Sequence, residues 1–304
     1  IPQLMSLWVG WVLGRFDARM AESSQVAGRP GDDPFDPLRS CSPAMLQTPD
    51  GMPARETPLG YPIRIAWSGI LLDDPGLDGD RPHPEDIVRR VRESLEVLFP
   101  ARADAMEQEA CAILGYRSLR DYFRAPGGFF AEHLSRYSKS RRKAPIYWPL
   151  STKSGSYTLW IYYHRLDGDL LFRAVNEFVN PKIREVEASL ESRKTELDGA
   201  TGRAAGEVRR SLESLQDLRG ELLEFRDELL RVANLPYRPN LDDGVLINAA
   251  PLWRLFRLPK WRGECEACWK ELEAGAYEWA HLAYTIWPER VERVCGGDRS
   301  IALA

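Results

Sequence analysis

IREVEASLESRKTELDGATGRAAGEVRRSLESLQDLRGELLEFRDELLRV, residues 183–232, decides how this chain folds. In its first half Ile183, Val186, Leu190 and Leu197 recur at spacings that share one helix face, with Arg193 the polar exception. Gly199 and Gly202 interrupt the pattern. A second run then brings Val208, Leu215, Leu218, Leu222, Phe225, Leu229 and Val232. From Leu215 onward the steps alternate between three and four, the seam of a coiled coil. Two such arms around a glycine-flanked turn predict an antiparallel helical hairpin that protrudes from the body. Each arm of about 17–30 residues would be roughly 25–45 Å long at a rise of about 1.5 Å per residue.

Helical patterning also dominates on the N-terminal side of this hairpin. Ile87, Val88, Val91, Leu95 and Leu98 mark one helix, residues 101–114 a second and residues 118–124 a third, and Pro126-Gly127-Gly128 separates these from a fourth at 129–137. Residues 146–150 and 157–164 are rich in aromatic and β-branched side chains, and the Gly/Ser-rich loop 151–156 between them predicts a β-hairpin with Lys153 at its tip. Trp160 and Tyr162 alternate with Tyr163 across the second strand, which makes most of these rings core residues. A weakly alternating run at 61–72 predicts one further short strand, and residues 170–179 are helical. Leu4, Leu7, Trp8, Trp11, Val12 and Phe16 give a first helix whose apolar face is expected to dock on protein outside this chain; a Pro- and Gly-rich extended loop follows at 21–56. Past the hairpin, Trp253, Leu255, Phe256, Trp269, Leu272, Tyr277, Trp279 and Leu282 anchor short helices. The expected fold is mainly α with a small β element. Its expected parts are 1–83, 84–178, the helical hairpin 179–234 and an aromatic-rich helical region 235–304.

Charge is distributed unevenly. The 304 residues sum to a net charge of −4, yet residues 134–166 contain no Asp or Glu. That stretch holds Arg136, Lys139, Arg141, Arg142, Lys143, Lys153 and Arg165. A basic island on an acidic body suggests one surface aimed at a polyanion. Five cysteines form an odd set in a long chain, which argues against a disulfide framework and for a reducing cytoplasm. The apolar run 4–13 is too short to cross a bilayer and lacks the basic lead-in of a signal peptide, so no membrane partner is expected. The chain opens on Ile1 rather than Met, as a piece of a longer protein would.

Within 136–165, Lys and Arg would neutralise phosphates while Ser and Thr hydroxyls and backbone N–H groups set register on a duplex. The candidate contacts are Arg136, Lys139, Arg141, Arg142, Lys143, Lys153 and Ser154, with Tyr147, Trp148 and Tyr157 supporting them or stacking. The bland alternative is a solvated charge run beside an aromatic core. Cys265-Glu266-Ala267-Cys268 is a single CxxC; without a second pair it reads as two small residues on a helix face rather than a zinc site, although Cys295 and His281 could in principle complete one. The paired acids Asp73-Asp74 and Asp242-Asp243 read as turn residues. His83, His133, His164 and His281 are scattered, and phosphate-loop, metalloprotease and nuclease motifs are missing, so neither a catalytic residue nor a metal is expected.

SKSRRKAPIYWPLSTKSGSYTLWIYYH, residues 138–164, closely resembles a stretch near the C-terminus of large adenine-specific DNA methyltransferases of BREX- and DISARM-type phage-defence systems and of related single-chain type II restriction–methylases. WVGWVLGRFD (8–17), DPFDPLRSCSPAML (33–46), LRDYFRAPGGFFAEHLSRY (119–137), PNLDDGVLINAAPLWRLF (239–256) and WPERVERVCGGDRSIA (287–302) are similar to that family in the same order. In such proteins the cofactor loop and the Asn-Pro-Pro-Tyr tetrapeptide lie well before this region. Asn234-Leu235-Pro236-Tyr237 resembles that tetrapeptide but departs at its second position, and it reads as a loop. The resemblance implies a target-recognition region that binds double-stranded DNA, while a preceding domain holds S-adenosylmethionine and methylates a flipped adenine at N6. By this account the chain alone is not catalytic and holds no cofactor. A second reading is a protein-interaction module whose hairpin recruits other defence subunits.

Overall fold

The structure, a computed structural model, describes residues 1–21, 41–42, 44–77, 81–139 and 142–296. Most of the expected extended loop, residues 22–40 and 43, lies outside the described residues, as do Arg141 and residues 297–304. The fold is mainly helical with a small antiparallel sheet. Two compact units compose it, Ile1–Leu71 with His83–His133, and Leu72–Pro82 with Leu134–Ala304.

In the first unit, α1 (Pro2–Val12) buries Met5, Trp8, Val9, Trp11 and Val12. Its apolar face is covered from within the chain by α2 (Ile87–Leu98), with Trp11 and Phe99 rings 6.4 Å apart. Leu4, on the same face, remains 42% exposed. Asp86 caps α2 by accepting from the Arg89 N–H at 3.0 Å, and it takes both Arg120 guanidinium nitrogens at 2.9 Å. Its side chain is fully buried, so these donors offset its desolvation. Replacing Asp86 with Ala is expected to destabilise the protein by about 2–3 kcal/mol: about 1 for the cap, the rest for the two charge-assisted hydrogen bonds that Arg120 loses. Urea unfolding of the variant checks this, and a change under about 0.5 kcal/mol contradicts it.

The chain continues through α3 (Ala103–Leu114), α4 (Leu119–Arg124) and α5 (Phe129–Arg136), which leads into the second unit. Gly128 is required where it stands, because a Cβ there would lie 2.0 Å from the Tyr122 carbonyl oxygen. That close approach lets Tyr122, Phe123 and Phe129 pack with ring centroids 5.0–6.0 Å apart.

The second unit carries the sheet, with strands in the order β1 (Ile70–Asp73), β5 (Thr158–Tyr162), β4 (Tyr147–Ser151). The strand expected at 61–72 is confined to the last residues of that run and is buried throughout rather than alternating. Strands β4 and β5 form the expected hairpin, registered from Tyr147 opposite Tyr162 to Ser151 opposite Thr158. A second hairpin, β2 (Ser138–Lys139) with β3 (Arg142–Lys143), was not foreseen.

Helix α6 (Leu170–Arg173) runs through a π-helical turn, Ala174–Val179, into α7 (Asn180–Gly199). Pro181 explains the wider turn: it offers no N–H to the helix ladder and its ring crowds the carbonyl four residues back. After Ala200 and Thr201, α8 (Gly202–Asn234) returns along α7, and Arg219 reaches Glu187 at 2.8 Å. Val208, Leu212, Leu215, Leu222, Phe225, Leu229 and Val232 are its buried face.

Short elements complete the unit: α9 (Val245–Ala249), a 3₁₀ segment Ala250–Leu255, α10 (Pro259–Glu273), α11 (His281–Ile286) and α12 (Pro288–Cys295). The buried Asp243 carboxylate caps α11, accepting from the His281 and Leu282 N–H groups at 2.8 Å. Among the described residues no helix is long and apolar enough to cross a membrane.

Candidate nucleic-acid interface

The residues expected to touch nucleic acid divide between the two hairpins. Arg136 ends α5, and Lys139 and Arg142 face each other across β2–β3. All three are exposed, and among the described residues none of them has an ion-pair partner. The two-residue strands thus hold these cations at the surface, and at the base Ser138 Oγ donates to the Leu134 carbonyl at 2.5 Å.

Lys143 behaves differently. It pairs with Glu264 of α10, and it is largely covered. Burial and, after it, the like charge of Lys260 hold its ammonium below the usual value. Lys260 is exposed in the first turn of α10 and extends the basic surface. Sequence reading missed it because it lies far along the chain, beyond the helical hairpin.

The β4–β5 loop is not the free tip that was expected. Lys153 Nζ meets Glu224 of α8 at 2.5 Å. Ser154 donates to Glu221 from its N–H at 3.2 Å and from Oγ at 2.6 Å, and Ser156 Oγ does so at 3.3 Å. In this structure α8 holds the loop's donors, so Lys153 is an exposed side chain in an ion pair rather than a free tip. Gly155 has a left-handed φ of +80°, and a Cβ on it would lie 1.9 Å from Arg257 Nη1.

Tyr147, Trp148 and Tyr157 are at most 1% exposed, so the stacking half of their expected role is corrected and support remains. Trp148 packs edge-on to Phe256 and donates from Nε1 to the Pro145 carbonyl at 2.7 Å. Tyr157 lies edge-on to Phe225 of α8, and burial pushes its hydroxyl well up.

Cys265 and Cys268 share the buried face of α10. Burial pushes the Cys265 thiol far up and that of Cys268 to about 12, so both stay protonated and poor at binding metal. Among the described residues no His, Cys, Asp and Glu side chains group to hold a metal. Asn234 ends α8 and residues 235–237 follow as a turn: Tyr237 is buried and donates to the Asn248 carbonyl at 2.9 Å.

No family model matches the chain. It is 31% identical over 121 residues to the adenine-specific methyltransferase BrxX of Escherichia coli O9:H4 (strain HS), a match covering 40% of this chain and 10% of that protein. It is 28% identical over 199 residues to the adenine-specific methyltransferase PglX of Lacticaseibacillus casei (strain Zhang), covering 60% of this chain and 15% of that protein. The chain therefore shares distant similarity with a small part of two much longer adenine-specific methyltransferases.

Proposed function

We propose that this chain is the C-terminal target-recognition region of an S-adenosylmethionine-dependent N6-adenine DNA methyltransferase of a phage-defence or restriction–modification system, and that it binds and positions duplex DNA in the cytoplasm. On this reading the cofactor and the methyl-transfer residues belong to a preceding domain. The single observation that carries the DNA contact is the β2–β3 hairpin. Its exposed Lys139 and Arg142, with Arg136 at its base, stand without carboxylate partners among the described residues. A surface cation neutralised by its own protein is a poor phosphate ligand; these three keep their full charge for an incoming backbone. Arg141, in the hairpin's connection, lies outside the described residues and joins the set on sequence grounds. Lys260, beside Lys143, broadens it. The α7–α8 hairpin would act as a coiled-coil spacer or as a dock for another subunit.

The test is fluorescence anisotropy with a labelled duplex. Changing Arg136, Lys139 and Arg142 together to Ala should weaken binding about five-hundredfold near 0.1 M salt, about a factor of eight per lost phosphate contact. An affinity within about twofold of the unaltered protein would refute the reading.

A further inference from the structure

We infer that residues 152–156 form a second phosphodiester site, a cradle for one duplex backbone phosphate that α8 keeps filled with its own Glu221 carboxylate. The inference rests on the duplex-binding reading above and adds a site to it. Four kinds of donor converge on this loop. The Ser154 N–H reaches both Glu221 oxygens at 3.2 Å, and the Ser154 and Ser156 hydroxyls reach one of them at 2.6 and 3.3 Å. Lys153 lies beside them on Glu224 at 2.5 Å, and the Arg257 guanidinium rests against Gly155, whose left-handed backbone turns the loop around the anion. A backbone N–H and two hydroxyls on one carboxylate, with an ammonium on the neighbouring Glu224, make a donor set for a singly charged oxyanion, and a carboxylate and a phosphodiester carry the same charge.

Glu221 is well suited as a stand-in. Burial pushes its carboxyl up, but the hydrogen bonds from Ser154, Thr152 and Ser156 outweigh this and hold it below the usual value, so it is ionised at neutral pH. The cover is also displaceable. Lys153 and Glu224 are 79% and 61% exposed, and exposed pairs of this kind contribute little net stability and are screened by salt. Glu221 and Glu224 lie about one turn apart on α8, so rotation of these two side chains away from the loop would vacate both positions while the buried face of the helix stays packed. The arm's placement and the duplex would then compete for a single loop.

Glutamine at both positions tests this, because it keeps the shape and can still accept from Ser154 while removing the charge. Glu221→Gln with Glu224→Gln should bind duplex about tenfold tighter, with a log-affinity against log-salt slope steeper by about one. Adding Lys153→Ala and Ser154→Ala to that background should remove the gain. Glu207→Gln with Glu213→Gln, the same charge change further along α8, should leave affinity within about twofold. An unchanged or weaker affinity in the first variant overturns the inference, as does an equal gain in the charge control. So does loss of the gain when excess inorganic phosphate replaces chloride at equal ionic strength, since the loop would then prefer the free ion. These readouts separate from the reading beneath them. Failure of the hairpin cations leaves the glutamine gain to be seen or not, and failure of the glutamine gain leaves the hairpin effect intact.

Discussion

Lys182→Met is expected to destabilise the protein by about 3–5 kcal/mol, because it removes the ammonium that pairs with a buried carboxylate. Lys182 of α7 and Asp74 are each 4% exposed and meet at 2.7 Å, and Glu185, one turn on, takes a second ammonium proton at 2.9 Å. Removing one partner of a buried pair costs more than the pair contributes, since the remaining charge keeps its desolvation penalty without its counter-ion. The location amplifies the effect. Asp74 and Glu185 also lie close enough to Tyr157 to raise its hydroxyl, so the lysine neutralises acids beneath the β4–β5 loop. Denaturant unfolding followed by circular dichroism measures the loss. A loss under about 1 kcal/mol would mean that water screens the pair after all.

Trp148→Ala should cost a similar amount, about 3–5 kcal/mol, by opening a cavity in the core of the second unit. The indole is fully buried, with Tyr163 at 5.5 Å and Phe256 at 6.3 Å between ring centroids. Trp148→Phe separates packing from recognition. It retains most of the volume, loses the bond to the Pro145 carbonyl worth about 1 kcal/mol, and should leave duplex affinity within about twofold. A folded Trp148→Phe protein that lost DNA as severely as the hairpin variant would restore base stacking as this residue's role.

The helical hairpin was the most legible part of the chain. A three–four repeat over residues 215–232 has few other outlets, and glycine at 199 and 202 marks its turn. The β4–β5 strands were legible from aromatic and β-branched clustering around a Gly/Ser loop. The π-helical turn before Pro181 was not, because it records a conflict between proline and a helix that continues regardless. Hairpin β2–β3 was hidden since two residues per strand leave no alternation to read. For the site, the acid-free stretch picked out a set of cations but could not say which were free of carboxylate partners. Glu221, Glu224 and Glu264 lie some 65 to 121 residues away from the groups they hold. Only tertiary contacts distinguish Arg136, Lys139 and Arg142 from Lys143 and Lys153.

Duplex affinity measured across a salt series tests the central claim most directly. Three phosphate contacts release about three counterions, so the slope of log affinity against log salt should become shallower by about three when Arg136, Lys139 and Arg142 are replaced together by Ala. Parallel lines for the two proteins would contradict it, whatever their absolute affinities.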